Sequence, residues 1–281
     1  MVNTKQMDTA NLPIRGNLTL VYAISLVIAA LMTIASVAGL LYQTIIYPTD
    51  DLLQGFVPTD VVNLFIGLPI LLGSMWMARR GQLIGLLCWP GALFNVLYNY
   101  VAYVFGMPFN VVFLLYIMLV TLSAYTIIGL VASIDGTAIQ QRLTGVVPER
   151  AAGGVLAGFG TLFSLRAIGI IVGALASQTP VAITELSTLV SDFMIAPALI
   201  IGGVLLWRRE ALGYVTGMGL LFQASMAFIG LIFFLLLRPL LTAAPFVLAD
   251  VVVVSIMGLV CFIPSALFVR GVVSKRDPSS P

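Results

Sequence analysis

Histidine is absent from all 281 residues. That removes His-ligated haem, His-containing zinc sites, Ser–His nucleophilic catalysis and a histidine proton relay. Cysteine is nearly absent: Cys88 and Cys261 are the two in the chain, and both fall within apolar runs. Their placement argues against an extracytoplasmic disulfide framework. Charge is scarce as well, with Asp, Glu, Lys and Arg together at 9%, against about a quarter in soluble domains. The few carboxylates do not replace the missing ligands. Asp50 and Asp51 are adjacent in a loop, and nothing follows at a spacing that would hold Mg²⁺ against phosphates. No catalytic residue, metal or cofactor is expected, and nothing points to a nucleic-acid partner. An enzyme remains possible but without support.

What the chain has instead is hydrophobicity: 60% of its residues are apolar and its mean hydropathy is +1.12. A helix needs about 20 mostly apolar residues to cross a hydrocarbon core roughly 30 Å thick. Eight runs qualify, at residues 18–42, 61–78, 82–105, 109–133, 152–176, 189–207, 211–237 and 246–269. None alternates with the dyad period of a membrane barrel. The first run exceeds the core of a signal peptide and no clean small-residue cleavage site follows it, so it reads as a span. The expected fold is an all-α polytopic bundle of eight spans, with the lipid bilayer as its first partner.

The basic residues orient it. Lys5, Arg15, Lys275 and Arg276 place both termini in the cytoplasm, and Arg79, Arg80, Arg142, Arg150, Arg208, Arg209 and Arg270 then fall on the same side. Arg238 is expected in an outer loop and Arg166 within a span. Trp76 and Trp207, each just before an Arg pair, suit the interfacial belt. The Arg pairs could also touch anionic lipid head groups, although they serve topology equally well. The outer side carries Asp50, Asp51, Asp60, Glu185, Asp192 and Asp250; these are solvated acids or, alternatively, a weak Ca²⁺ site. The location expected is the cell (cytoplasmic) membrane.

The polar interval around residues 134–151 divides the spans four and four, giving an N-terminal half (1–133), a cytoplasmic linker and a C-terminal half (152–281) within one membrane domain. Polar positions correspond in order across the halves: Gln43-Thr44 with Gln178-Thr179, Asp51 and Asp60 with Glu185 and Asp192, Arg79-Arg80 with Arg208-Arg209, Asn95 with Gln223, and Asn110 with Asp250. The offset drifts. An even number of spans per half implies a parallel repeat; chance similarity between apolar helices is the alternative.

The run Asp60-Val-Val-Asn-Leu, then Ala78-Arg-Arg-Gly, Asn95 to Tyr103 and Phe109-Asn110, followed by Asp192 with Pro197, Trp207-Arg-Arg and Gly213-Tyr214, resembles a family of bacterial multi-pass membrane proteins with no assigned activity. The resemblance implies the same topology and a bacterial membrane, and carries no chemistry.

Costly residues in lipid are the candidate site. Arg166 lies about 20 Å into the fifth span, and a central charge costs roughly 2.5–3.5 kcal/mol on insertion scales. It should face protein or water, with Asp60, Asp192 or Asp250 within reach as gating or ion-pair partners. It is then either a ligand anchor or a structural bridge. Asn95, Asn99 and Tyr103 recur at i, i+4 and i+8 with Tyr98 beside them, making one face of the third span polar. Gln223 and Asn63 are placed to meet that face. Interhelical hydrogen bonding explains it, and so does a hydrated pocket opening outward. Glycine pairs 81/85, 154/158, 169/173 and 213/217 fit small-residue helix contacts. Pro69, Pro90, Pro197 and Pro264 should bend their spans.

Three functions follow from this reading. The first is a permease-like transporter of a small polar or anionic solute, with Arg166, Asn95, Tyr98, Asn99, Tyr103 and Gln223 as ligand-binding candidates. The second is a non-enzymatic sensor, scaffold or assembly partner acting with a membrane partner or as a homo-oligomer. The third is a lipid-modifying enzyme using Asp60 with Asp192.

Overall fold

A computed structural model of the protein describes residues 12–274; Lys5, Lys275 and Arg276 lie outside the described residues. The described chain is helical and contains eight helices long and apolar enough to cross a bilayer. It is an integral membrane protein of the multi-pass, all-α class.

The first span is α1 (Thr19–Leu41), followed by the single turn α2 (Gln43–Ile46). The second, Asp50–Arg79, is built of α3 (Asp50–Val62), a π-helical turn (Asn63–Gly67) and α4 (Leu68–Arg79). Pro69 has no N–H to return to the chain, and the wider turn directly before it accommodates that loss. Then come α5 (Leu83–Gly106), α6 (Phe113–Ser133), the short α7 (Gly136–Leu143), α8 (Glu149–Ser177), α9 (Ile183–Trp207), α10 (Ala211–Leu241) and α11 (Leu248–Ser274).

Several spans reach further than hydropathy indicates. The second starts at Asp50, because Thr49 caps it by accepting the Leu52 N–H and two acids occupy its first turn. The sixth starts at Ile183 rather than 189, and the seventh runs on to Leu241. Arg238, expected in a loop, therefore lies in the last turn of α10. Asp60 and Asp192, expected at the mouths of their spans, lie about 15 Å and about 14 Å along their helices. Polar residues lower a hydropathy window without ending a helix when neighbouring helices cover them.

That principle also explains the centre of the molecule. α5 has the lowest mean hydropathy of the eight spans, 1.2, and is the most deeply buried. It packs against α4, α6, α9 and α10, so its polar side chains meet protein rather than lipid. It crosses α10 where Gly91 lies against Gly219, so close that a Cβ on Gly91 would sit within 2.8 Å of the Gly219 carbonyl carbon. A second glycine seam, Gly153 against Gly203, joins α8 to α9. The expected glycine pairs are mostly used otherwise. A Cβ on Gly158, Gly169 or Gly173 would meet nothing within 4 Å among the described residues, Gly154 carries the Trp207 ring, and Gly81 is a turn residue with φ 73°.

The turns entering α5 and α10 share one hydrogen-bond pattern. Arg80 N–H donates to Trp76 O (3.1 Å), Gly81 N–H to Ala78 O (3.0 Å) and Gln82 N–H to Met77 O (3.0 Å). Arg208 donates to Val204 O (2.9 Å), Arg209 to Leu206 O (3.0 Å) and Glu210 to Leu205 O (2.9 Å). Gly81 and Arg209 both hold the left-handed conformation, at φ 73° and 61°. Gly85 packs on the backbone of Ala78 as Gly213 does on that of Leu206. Pro69 and Pro197, Gly91 and Gly219, and Asn95 and Gln223 fall at the same spacing. Outside this stretch the offset drifts, in part within the helices themselves: Asp60 to Pro69 is nine residues, Asp192 to Pro197 five.

At the basic end the segment before α1 pairs with the linker. Arg15 N–H donates to Ser133 O and Asp135 N–H to Pro13 O, and Arg15 bridges to Asp135 at 3.0 Å. Asp135 caps α7 through the Thr137 and Ala138 N–H groups. Hydrogen bonds from the Thr137 side chain, Arg15 and the Ala138 backbone hold its carboxyl well below the usual range, at about 2. Glu149 is buried nearby, accepting from Gly145 N–H (2.6 Å) and the Tyr214 hydroxyl (3.0 Å).

Candidate functional site

Besides Glu149 at the basic end, two carboxylates are buried among the described residues, Asp60 and Asp192, and α5 serves both. Tyr98, facing α9, donates its hydroxyl to Asp192 Oδ1 at 2.9 Å. Tyr103, less than two turns further along, donates to Asp60 Oδ1 at 2.8 Å. The other oxygens have different partners. Asp192 Oδ2 accepts from Arg166 Nη1 at 3.1 Å, whereas Asp60 Oδ2 accepts from the Tyr47 hydroxyl.

The Arg166–Asp192 pair is lopsided. The Asp192 side chain is 7% exposed and both its oxygens are engaged, while the Arg166 side chain is 45% exposed. A guanidinium has five N–H donors, so the pair holds Arg166 in place and leaves most of its donors unused. Arg166 lies about 26 Å from the basic end of α8 and about 17 Å from the other end, within the reach of the hydrocarbon core.

Those donors face a cavity of about 690 Å³ enclosed by α3, the π turn, α5, α8, α9, α10 and α11. Its size is that of a small-ligand pocket, for which roughly 300–1,000 Å³ is usual. Asn95, Tyr98, Asn99, Tyr103, Gln223, Arg166 and Asp192 all line it. Asn99 Nδ2 also donates to Asn63 Oδ1 in the π turn at 3.1 Å. Gln223 is 1% exposed, and neither its amide oxygen nor its nitrogen has a partner among the described residues. A buried amide with both ends unmet costs several kcal/mol unless water or a ligand meets it. Phe163, Phe228, Phe234 and Met257 supply an apolar wall, and Asp51, Glu185 and Arg238 line the same space towards the acidic end. Arg238 donates to Gln54 Oε1 at 3.0 Å, and its Nε is buried without a partner among the described residues.

Two of the sequence candidates stand apart. Asp250 is exposed in the first turn of α11 and does not line the cavity. Asp60 is fully buried behind the cavity wall, reached through Tyr103. Sequence reading missed Tyr47, whose apolar surroundings give no periodic signal, and the inward placement of Arg238. Among the described residues, no three acidic or thiol side chains gather as a metal site. A smaller groove of about 210 Å³ beside Gly91 and Gly219 is walled by apolar side chains with Thr216, and offers little chemistry.

No family model, curated protein or solved structure matches this chain.

Proposed function

We propose that the protein is a permease-like membrane protein that binds a small polar or anionic solute in the 690 Å³ cavity. The observation that carries this reading is the Arg166 guanidinium, held by a buried Asp192 and presenting its remaining donors to a space of ligand size. In this reading the two halves are parallel repeats. The matching turns at Gly81 and Arg209 and the Gly91–Gly219 crossing support that, and in this reading the cavity, walled by helices of both halves, lies at the repeat interface, where transporter sites are found. The basic end faces the cytoplasm of a bacterial cell, following the arginines, so the acidic mouth of the cavity opens outward.

The test is thermal stabilisation of the purified protein by a panel of small organic anions and neutral polar compounds. A ligand at a hundred times its Kd adds about 2.7 kcal/mol. The reading expects at least one anionic compound to stabilise the wild type and to lose that effect in Arg166→Gln. Stabilisation that Arg166→Gln leaves intact removes Arg166 from the site. A protein that no compound stabilises, and that co-purifies with a stoichiometric membrane partner, is instead an assembly component.

A further inference from the structure

Asp60 differs from Asp192 in one respect: among the described residues it has no cation. It is fully buried, lies within a membrane-spanning helix, and is held among the described residues by neutral hydroxyls, those of Tyr47, Tyr103 and Ser36. A bare carboxylate in such a place carries a large desolvation cost, and neutral hydroxyl donors offset only part of it. The remainder is removed by an added positive charge. A metal cation needs several oxygen ligands and room for itself. Here Gly39 of α1 packs so tightly against Asp60 Oδ2 and the Tyr47 hydroxyl that even a methyl group would overlap both. A proton needs no room.

We infer that Asp60 is a proton-binding site, loaded and emptied as the protein works. The groups that face it bear this out chemically. From α1 come Ser36 and Gly39, from the segment after α2 Tyr47, from α5 Tyr100 and Tyr103, and from α6 Tyr116. On its own helix the nearest acids are Asp50 and Asp51 in the first turn. On the other helices touching α3, Glu185 lies in the first turn of α9, and Arg238 of α10 is bonded to Gln54. The titratable neighbours are thus tyrosines, which stay neutral across the ordinary pH range.

Ionised Asp60 accepts from both Tyr47 and Tyr103. On protonation, one carboxyl oxygen forms an O–H bond to a proton taken from water and becomes a donor, so one of the two tyrosine hydroxyls must turn to another acceptor. The Phe56 carbonyl, already 3.4 Å from the Tyr103 hydroxyl, is the acceptor at hand for that exchange, and the fully buried Tyr116 ring stands beside it with its centroid 5.0 Å from that of Tyr103. Tyr103 also lines the cavity, so a change in its hydrogen bond reaches the space where Arg166 lies. That last link rests on the proposed function; the proton site itself does not.

Infrared difference spectra of the full-length protein in lipid vesicles, taken between low and high pH, test it. The expected result is a carboxylic-acid C=O band that titrates in wild type and in Asp192→Asn and is missing from Asp60→Asn. Tyr47→Phe keeps the carboxyl and removes one donor to its ionised form, so the midpoint should rise by about one pH unit or more; this variant serves if Asp60→Asn does not fold. A band unchanged in Asp60→Asn, or a midpoint unmoved in Tyr47→Phe, overturns the assignment. A cavity that binds no solute would leave the band in place, so the two readings fail separately.

Discussion

Replacing Gly91 with alanine should damage the protein far more than the same change at Gly219, although the two glycines face each other. A Cβ on Gly91 would sit 2.8 Å from the Gly219 carbonyl carbon, 2.9 Å from its Cα and closer still to its oxygen. All three are backbone atoms, which cannot swing aside. Carbon atoms pack best at about 3.5–4.0 Å, so α5 and α10 would have to open by nearly 1 Å. A gap of that size forfeits a quarter to a half of each van der Waals contact along the seam, on top of an overpacking cost of about 1–3 kcal/mol. The expected loss for Gly91→Ala is about 3 kcal/mol. A Cβ on Gly219 instead meets Gly91 N and Leu87 O, both at 3.1 Å, and a shift of a few tenths of an ångström relieves it. Alanine's helix propensity gains up to about 1 kcal/mol over glycine, so Gly219→Ala should be nearly neutral. Thermal unfolding in detergent, followed by tryptophan emission, separates the two: about 5–10 °C lost for Gly91→Ala and little change for Gly219→Ala. Equal shifts would refute the crossing geometry.

Other consequences concern the ion pair, the turns and the linker. Arg166→Met should cost about 2 kcal/mol, below the usual 3–5 for a broken buried pair because the guanidinium is 45% exposed and screened. Adding Asp192→Asn should recover roughly 1 kcal/mol of it in a double-mutant cycle; strictly additive losses would show that the pair is not coupled. At the matching turns, Gly81→Ala should destabilise by about 1 kcal/mol. Arg209→Gly should gain a little, less the 3.9 Å contact to Glu149; opposite signs in a melting series would contradict the left-handed geometry. Asp135 has a depressed carboxyl pKa, so its stabilising contribution is present above the ordinary value of 3.8 and lost as pH falls through about 2. Protease cutting of the linker at residues 134–151 should rise across that interval in wild type, and Asp135→Asn should cut at the raised rate throughout.

The number of spans was legible because each apolar run is long enough to cross lipid and is punctuated by Arg pairs or turn residues. Their lengths were less so. Asp50, Asp60 and Glu185 lowered the local hydropathy of helices that continue through them, and Arg238 looked like a loop residue although α10 carries it inward. The polar face of α5 was readable from the spacing of Asn95, Asn99 and Tyr103. That Tyr98 and Tyr103 would turn to different carboxylates was not, since it depends on where α3 and α9 pack. Arg166 announced itself by its cost in lipid; its choice of Asp192 over Asp60 and Asp250 is a matter of tertiary placement. Tyr47 follows a single-turn helix and enters the core only because the chain doubles back there. The glycines at Gly85 and Gly213 were visible as letters, but the small-residue rule selected Gly169 with Gly173 just as readily. Only packing separates them.

The central claim is a hydrated cavity around Arg166, and water access measures it most directly. Thr188 and Ala227 line the cavity; each is replaced singly by cysteine in a Cys88→Ala, Cys261→Ala background and exposed to a membrane-impermeant thiol reagent in intact cells. A cysteine in place of Leu71, which is fully buried, serves as the closed control. The account predicts labelling at 188 and 227 far faster than at 71, slowed by any compound that stabilises the protein through Arg166. Labelling at 188 and 227 no faster than at 71 in folded protein would contradict it and leave Arg166–Asp192 as a packing bridge.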